Sequence, residues 1–484
     1  MQQVMASSGG SYHEIKHSLL KKKKLFHDLD FPAEDVSIGR DIGNVVWKRP
    51  AEILKGQRSS LKPLFIRNGA TRADFDQGQL SDCWFIAASA CLAVSNRNLF
   101  YNVIQPKGQS FKDGEYAGIF RFRFWRYGKW VEVVIDDYLP TVSGELVFAH
   151  NMEEPNEFWA PLMEKAYAKV HGSYESLEGG FMPEALVDFT GGISETYVLD
   201  DTAPKNLYDI LYKAVRTNCM MGSNIEADQL AREASLSNGL YNGHAYSITA
   251  VAELKTSDGR RHKLVRLRNP WGWKEWNGDW SDRSSLWKKV DRSQRDDVDF
   301  TKLDDGEFWM SFDDWFQNFQ YMDMCYLSPE ELTDPLALDE DKTKWKTIRY
   351  EGRWERDVSA GGSGNPPHQA LYWKNPQFKV NLTDKNQDSN GDCTMVVSLL
   401  ELGSRKIKDI QIGIKIYRKG RNLRRGRNGE RRDLRLKVDS GHSNMREVTA
   451  RFTGKPGNYV IMPSTFKPNQ EASFLLRIFT ELYH

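Results

Sequence analysis

The stretch Gln77-Gly-Gln-Leu-Ser-Asp-Cys83-Trp-Phe-Ile-Ala-Ala joins a polar loop to an apolar segment, with a cysteine at the junction. The apolar run predicts a helix over residues 83–94. Because the first N–H groups of a helix carry partial positive charge, a cysteine there favours its thiolate, and Cys83 is a candidate nucleophile. Gln77 is a candidate for completing an oxyanion hole with the Cys83 backbone N–H. The alternative is that Cys83 is only a small buried apolar residue.

Two further segments supply the imidazole and the orienting group that a thiolate protease needs. The segment GLYNGHAYSI, residues 239–248, places His244 at the start of a predicted strand, and LRNPWG, residues 267–272, places Asn269 at the end of the next. Because Pro270 ends the second strand, the Asn269 side chain is expected to point back along the sheet. A lone histidine is more often structural, but this one has a cysteine and an asparagine in matching contexts.

The composition is that of a soluble globular protein. The chain has 484 residues, of which 40% are hydrophobic and 27% charged, and this length is enough for about three domains. The formal net charge of +1 supplies no overall field for nucleic acid, and no nucleic-acid partner is expected. Five scattered cysteines without a CxxC pair favour neither a disulfide framework nor a zinc site, and they fit a reducing compartment.

The location of the protein is predicted from its apolar runs. The N-terminal segment is polar and rich in lysine, and it lacks the apolar stretch of a secretory signal. The longest nearly apolar run, residues 84–94, is much shorter than the roughly 20 residues of a membrane span. We therefore expect an intracellular, cytoplasmic protein.

Changes of pattern divide the chain into zones. The first zone, 1–34, is a basic lead segment that contains one short predicted helix. Two mixed zones follow at 35–180 and 181–331, and a β-rich zone covers 340–484. The mixed zones carry predicted helices at 83–94, 156–170 and 207–215, a hairpin turning at 127–128, and strands at 245–254 and 263–268. The β-rich zone has short runs separated by turn residues, at 393–402, 410–417, 446–452, 459–463 and 473–479. Such runs are typical of an antiparallel β-sandwich, so the predicted fold class is α+β.

The three catalytic segments together resemble a known family. QGQLSDCW, NGHAYSI and RNPWG stand in the order of the cysteine, histidine and asparagine boxes of the calpain protease core. The resemblance extends through EFWAPLMEKAYAKVHGSYESLEGG, VDFTGG, EWNGDWSD and DDGEFWMSF to NPQF, and it covers most of the chain from about residue 40 to residue 484. It implies a two-lobed papain-like cysteine protease core, with the first lobe at 35–180 and the second at 181–331, followed by a C2-like antiparallel β-sandwich at 340–484.

The resemblance also implies how the catalytic work is divided. Cys83 would attack the peptide carbonyl, His244 would shuttle the proton, Asn269 would orient His244, and Gln77 would complete the oxyanion hole. Trp271 would sit in the substrate cleft near the catalytic asparagine, where calpains use an indole to wedge the lobes apart without calcium.

Gly243 is the second residue predicted to lie in the cleft, and Trp271 also has an alternative interpretation. Gly243 would leave space beside His244 in the cleft. For Trp271 the alternative is ordinary aromatic packing, since five tryptophans crowd residues 271–287.

Calpains bind one calcium ion in each protease lobe, and the resemblance carries over two sets of oxygen ligands. The first set is Arg67 through its backbone, Gly69, Asp74 and Glu157. The second set is Glu275, Asp282, Asp305 and Glu307 with the Leu303 carbonyl. Without the resemblance these acids would be interpreted as solvated loop charges. With it, we expect two calcium ions to rotate the lobes so that Cys83 and His244 form one site.

The sequence departs from the usual calpain pattern at three points. Asp76 stands where calpains commonly have cysteine, and Ser81 stands where they have glycine and is expected to help cap the following helix. Conventional calpains continue into a penta-EF-hand domain that binds a small regulatory subunit, whereas this chain stops at His484. We therefore expect a form without that domain and no heterodimer with a small subunit.

One local charge asymmetry suggests a second partner. The predicted loop 415–437 holds eleven basic residues against two acidic ones. A solvated loop, contact with anionic membrane lipid and nucleic-acid binding are the alternatives, and the scarcity of interleaved aromatic residues weakens the last.

These observations predict a calcium-activated cysteine endopeptidase that makes limited cuts in intracellular protein substrates. Association with membranes through the basic segment is a further expectation. The alternative is a non-catalytic calpain-like scaffold that binds lipid or protein through the β-sandwich. All members of the predicted triad are present, which favours the protease.

Overall fold

The computed structural model describes residues 11–57, 59–95, 97–216, 219–226, 234–326, 344–383, 393–403, 410–420 and 433–482. The described residues divide into two compact units. Apart from residues 127–129, the first unit contains the described residues between 11 and 326, and the second contains those from 344 to 482.

The first unit combines helices with short antiparallel sheets. Its helices are α1 (Tyr12–Lys22), α2 (Asp35–Ile38), α3 (Pro50–Gly56), α4 (Cys83–Ala93), α5 (Arg97–Ile104), α6 (Trp159–His171), α7 (Met182–Thr190), α8 (Leu207–Arg216), α9 (Arg292–Asp297) and α10 (Phe312–Asn318). Its strands are β1 (Val46–Lys48), β2 (Ile119–Arg126), β3 (Lys129–Asp136), β4 (Leu139–Val142), β5 (Glu145–Leu146), β6 (Ile193–Val198), β7 (Met220–Ile225), β8 (His244–Lys255), β9 (Arg261–Arg268), β10 (Glu307–Ser311) and β11 (Tyr321–Tyr326).

Helix α4 is the central element of this unit, because every one of its residues is buried. A helix that is apolar on all sides must be covered on all sides. Helix α7 covers one side of α4, and strands β7 and β8 cover another. These strands belong to a six-stranded antiparallel sheet with the order β10-β9-β8-β7-β11-β6. The predicted helix is confirmed and ends one residue earlier than expected, at Ala93.

The lead segment packs onto the first lobe. Helix α1 begins with a capping box formed by Ser11 and Glu14. The buried ring of Tyr12 packs with Ala117, Ile119 and Val134 of the β2–β3 region, and the hydroxyl of Tyr12 donates to the carbonyl of Gly108. The described residues of the lead segment therefore lie within the first unit and do not form a separate body.

The β2–β3 hairpin turns where the sequence predicted. Tyr127 and Gly128 have φ angles of +51° and +88°. Positive φ at both central residues is typical of the type I′ turn, whose twist matches that of paired strands. The helix predicted over 156–170 is observed as α6, which begins three residues later, at Trp159.

The second unit is an antiparallel β-sandwich. Its strands are β12 (Lys344–Trp354), β13 (Phe378–Leu382), β14 (Cys393–Leu402), β15 (Ile412–Lys419), β16 (Leu434–Ser443), β17 (Glu447–Gly454), β18 (Gly457–Thr465) and β19 (Ala472–Leu482). They form two four-stranded sheets with the orders β12-β19-β14-β17 and β13-β18-β15-β16. A common apolar core, which includes Met395, Ile414 and Ile478, joins the two sheets. The sandwich is as predicted, and its likeness to a C2 domain stays a prediction.

The basic segment 415–437 is not a loop at its two ends, which corrects the prediction. Residues 415–419 lie in β15 and residues 434–437 lie in β16, and these strands pair with each other. The ammonium of Lys415 lies 3.3 Å from the carboxylate of Asp439. Residues 421–432 lie outside the described residues. Lipid contact by this segment stays a prediction.

No helix in the described ranges is both long enough and apolar enough to span a bilayer.

Candidate active site

The candidate nucleophile is the first residue of α4. Cys83 is only 7% exposed. Asp82 stands at the N-cap position, so the expectation that Ser81 caps the helix is wrong. The thiol therefore stands at the N-terminal end of the helix, where the sequence predicted it.

His244 and Asn269 are brought together by strand pairing. His244 is the first residue of β8, and Asn269 directly follows the last residue of β9. The two strands are antiparallel neighbours, so the start of one lies beside the end of the other. Nε2 of His244 lies 2.8 Å from Oδ1 of Asn269, and both residues are almost fully buried.

This contact determines the tautomer of the imidazole. Because an amide oxygen only accepts, Nε2 of His244 must carry the proton in this contact, which leaves Nδ1 as the basic nitrogen of the neutral ring. Two other bonds hold the Asn269 amide in this orientation. Its Oδ1 accepts from the Trp271 backbone N–H at 3.1 Å, and its Nδ2 donates to the carbonyl of Lys274 at 3.0 Å.

The nucleophile and the imidazole lie on opposite sides of one interface. Cys83 begins α4, His244 begins β8, and α4 packs against β8. Burial raises the pKa of Tyr246, and the thiol of Cys83 contributes to the same rise. The packing of α4 against β8 therefore brings the elements that carry the two residues into contact.

Gln77 forms hydrogen bonds to residues of both lobes. Its backbone N–H donates to the carbonyl of Pro270 at 3.1 Å, directly after Asn269. Its side-chain Nε2 donates to the carbonyl of Leu80 at 2.7 Å, within its own loop. The oxyanion role of Gln77 stays a prediction.

A buried ion pair joins the residues that precede Gln77 and Asn269. Oδ1 of Asp76 lies 3.5 Å from Nη2 of Arg268, and both side chains are buried. Nη1 of Arg268 donates to the carbonyl of Phe75 at 3.3 Å. Asp76 was predicted only as a departure from the family pattern, and Arg268 was not among the predicted site residues. An acidic residue beside one catalytic box and a basic residue beside another were the signals that pointed to this pair.

Trp271 packs directly against the candidate base. Its ring centroid lies 4.7 Å from that of His244 and 4.3 Å from that of Tyr241. Gly243, beside His244, has a φ of +64°, a conformation that suits glycine. The cleft role predicted for Trp271 and Gly243 is compatible with these positions.

Two predicted calcium ligands of the first lobe, Asp74 and Glu157, come from different segments and share a hydrogen-bond partner in Asn151. Nδ2 of Asn151 lies 3.4 Å from Oδ1 of Asp74 and donates to Oε2 of Glu157 at 2.9 Å. The backbone N–H of Arg67 donates to Oε1 of Glu157 at 2.5 Å. Burial and the nearby charge of Asp74 raise the pKa of Glu157 to about 7. Gly69 lies in the same loop as Arg67, with a φ of +97°.

In the second lobe, the predicted ligands also crowd together. Burial and the charge of Asp282 raise the pKa of Glu275 to about 8. Burial, followed by the charge of Asp305, raises the pKa of Asp282 to about 6. The backbone N–H of Leu303 donates to Asp282 at 3.2 Å.

Glu307 differs from the other predicted ligands. Its Oε1 accepts from Nη1 of Arg72 at 2.9 Å, and its Oε2 lies 3.5 Å from Nη1 of Arg266. Its carboxylate is therefore already paired with two arginines. The bond to Arg72 joins the two lobes.

The fit of these acids to a hard cation depends on their arrangement and on their donor atoms. Among the described residues, no group of three or more His, Cys, Asp or Glu side chains is arranged as a metal-binding cluster. Carboxylates whose pKa is raised by burial and, to a smaller extent, by a neighbouring acid are nevertheless the oxygen donors that calcium takes. The residues present fit calcium in their chemistry, and calcium binding stays a prediction.

The fold and the site define a protease core of the cysteine class with an appended β-sandwich, and comparison with known proteins identifies its family. Residues 26–326 match the family described as calpain family cysteine protease, and residues 350–479 match calpain large subunit, domain III. The chain therefore belongs to the calpain family.

Individual relatives agree with this assignment. The chain is 44% identical to calpain-A of Drosophila melanogaster over 98% of its own length and 59% of that protein. It is 42% identical to calpain-8 of Rattus norvegicus over 98% of its own length and 68% of that protein. Calpain-9 of Homo sapiens is also 42% identical, over 99% of this chain and 68% of that protein. The chain thus spans between three fifths and about two thirds of the length of these relatives.

Proposed function

We propose that the protein is a calcium-activated cysteine endopeptidase that makes limited cuts in protein substrates in the cytoplasm. The observation that carries the proposal is the 2.8 Å contact between Nε2 of His244 and Oδ1 of Asn269, in a unit where Cys83 begins the buried helix α4. A structural histidine does not require an asparagine held by two further bonds. An asparagine that fixes the tautomer of a catalytic base must itself be held in one orientation, and these two bonds hold it.

The proposed reaction proceeds through an acyl-enzyme. The Cys83 thiolate attacks the carbonyl carbon of the peptide bond, and the Cys83 N–H with the Gln77 amide stabilises the negative oxygen. The carbon–nitrogen bond breaks as protonated His244 gives its Nδ1 proton to the leaving amine. His244 then takes a proton from water as the water oxygen attacks the thioester, and the carbon–sulfur bond breaks to release the carboxylic acid product and the Cys83 thiolate.

The acidic residues of the two lobes support the calcium part of the proposal. Asp74 and Glu157 would hold one ion, and Glu275, Asp282 and Asp305 would hold the other. Bound calcium would supply the positive charge that these crowded carboxylates lack. Asp74 precedes Gln77 by three residues and Glu275 follows Asn269 by six, so the positions of these acids affect the positions of the catalytic groups.

The proposal is tested by the cleavage of casein across a calcium titration, with a Cys83→Ser variant in parallel. We expect cleavage that requires calcium and disappears in the variant. If the folded protein binds calcium and cleaves nothing, the non-catalytic scaffold becomes the better interpretation.

A further inference from the structure

The loop after Asn269 presents an aromatic side chain to solvent beside the catalytic residues. Trp273 is 45% exposed, although it is one of the largest apolar side chains in the protein. Its ring centroid lies 6.1 Å from that of Trp271, with an interplanar angle of 31°. Trp271 in turn lies 4.7 Å from His244. The two indoles therefore form a continuous apolar surface that begins at the candidate base.

This loop is held firmly against the triad. The carbonyl of Lys274 accepts the bond from Nδ2 of Asn269 at 3.0 Å. Gly306 packs below the loop so closely that a Cβ there would lie 3.0 Å from the backbone nitrogen of Trp273. Gly272 and Lys274, on either side of Trp273, both have positive φ angles. The backbone that carries the indole is thus held at a determined distance from the triad.

The chemistry of peptide cleavage indicates what passes over this surface. The protonated imidazole must reach the leaving amine, so the half of the substrate that follows the scissile bond lies on the histidine side. Trp271 packs on His244, and Trp273 continues the surface from there. The ammonium of Lys274 lies 4.7 Å from the centroid of the Trp273 ring, which orients the indole and adds a positive charge beside it.

We propose that Trp273 and Lys274 form a subsite for an apolar or aromatic side chain on the leaving-group half of the substrate. This inference rests on the proposed protease function. An aromatic substrate side chain would pack on the exposed indole, and the charge of Lys274 would disfavour a basic side chain at the same place.

The test uses matched substrates and the full chain in calcium. One set of quenched fluorescent peptides shares a common sequence before the scissile bond and carries Phe, Gly or Arg at each of the three positions after it. A second substrate is a peptide methyl ester, whose leaving group is methanol, so it reports catalysis without a leaving-group side chain. The measured quantity is kcat/KM for each substrate.

The native protein is expected to prefer Phe over Gly at one of these positions by about two- to tenfold, the range that a single aromatic contact provides, and to disfavour Arg there. Trp273→Ala should abolish this preference, with a loss on the Phe peptide that exceeds the loss on the methyl ester by the same factor. Trp273→Phe should retain it. Trp130→Ala, on the β2–β3 hairpin, is the matched tryptophan control and should retain it as well.

Two outcomes would overturn the subsite. The first is a Phe preference that survives in Trp273→Ala, and the second is an equal loss on the Phe peptide and the methyl ester, which would assign Trp273 to the packing of the triad loop. Cleavage of no substrate by the native protein would instead overturn the proposed function itself, and the subsite with it.

Discussion

At the scale of single residues, the asparagine of the predicted triad has a position determined by several hydrogen bonds. Asn269 uses both ends of its amide, since Oδ1 contacts His244 and accepts from Trp271 while Nδ2 donates to Lys274. A side chain held in this way can fix the ring and tautomer of the histidine. Replacing Asn269 should therefore lower the rate of catalysis more than the stability of the folded protein.

Asn269→Ala should lower kcat by about 10²-fold, because general-base catalysis of this size depends on a correctly oriented imidazole. The measurement is steady-state cleavage of a peptide substrate in saturating calcium. Asn102→Ala is the control, since it removes a bond of similar length, 2.8 Å from Nη1 of Arg123, on helix α5. Equal kcat values for the two variants would contradict the triad role.

The buried pair of Asp76 and Arg268 is the second feature at this scale. Asp76 precedes the candidate oxyanion residue, and Arg268 precedes Asn269. Burial lowers the pKa of Arg268, and the charge of Asp76 acts against that change. Removing one partner would leave the other charge buried without its counterion.

Asp76→Ala should lower the free energy of unfolding by about 3–5 kcal/mol, and the Asp76→Ala, Arg268→Ala double variant should cost less than the sum of the single variants. Urea unfolding followed by tryptophan fluorescence is a suitable measurement, because twelve of the fifteen tryptophans precede residue 327. Strictly additive losses would show that the two charges do not interact.

At the scale of elements, the six-stranded sheet carries a buried acid in strand β11. Asp323 accepts from Oγ1 of Thr196 at 2.6 Å and from Nδ2 of Asn224 on the neighbouring strands. Burial raises its pKa from 3.8 to about 6, although both hydrogen bonds act in the opposite direction. The folded protein therefore holds a proton here that the unfolded chain releases at lower pH.

This pKa shift predicts a window of pH dependence. The contribution of Asp323 is fully present below pH 3.8 and is lost as pH rises through about 6, because the unfolded state then binds fewer protons than the folded state. Asp323→Asn should remove this dependence, so its stability relative to the native protein should improve by up to about 3 kcal/mol between pH 4 and pH 7. Chemical unfolding at several pH values measures the difference.

A second variant tests the cause of the shift. Thr196→Val removes a donor that favours the charged form of Asp323, so the pKa should rise further and the window should extend to higher pH. Parallel stability curves for the native protein and the Asp323→Asn variant would contradict the account.

The β-sandwich shows which elements can be predicted from local patterns. The strands that were predicted, β14, β15, β17, β18 and β19, are dominated by inward-facing apolar residues. The three strands that were missed are β12, β13 and β16, and each lies at the edge of its sheet. The fourth edge strand, β17, was predicted because it buries Val448, Ala450 and Phe452 in alternation, whereas the charged residues of the three missed strands conceal their alternation. Strand β16, for example, is exposed along much of its length.

At the scale of the whole first unit, the acidic loops and the arginines link the lobes. Arg72 of one lobe binds Glu307 of the other at 2.9 Å, and the acids predicted to bind calcium lie beside both residues. Carboxylates with raised pKa values mark the places where positive charge would stabilise the structure most. If calcium acts there, both lobes must respond.

The Asp74→Ala, Glu275→Ala double variant should lose calcium-dependent cleavage of casein, because each proposed site would lack a carboxylate. The control is Glu145→Ala, Asp313→Ala, which removes one exposed acid from each lobe and should keep the calcium response. Calorimetric titration with calcium measures binding separately from activity. An active Asp74→Ala, Glu275→Ala variant with an unchanged calcium response would contradict the proposed sites.

The sequence by itself determined the apolar helix that begins at Cys83, the order of the three catalytic boxes, the hairpin turn at Tyr127-Gly128 and the sandwich class of the second unit, because these depend on short-range patterns. The tertiary structure decided which groups meet. The contact between His244 and Asn269 spans 25 residues, and the Asp76–Arg268 pair spans 192. It also placed the Glu307 carboxylate against two arginines. Such partners are determined by the register of paired strands and by the packing of α4 between the lobes, and no local pattern contains that information.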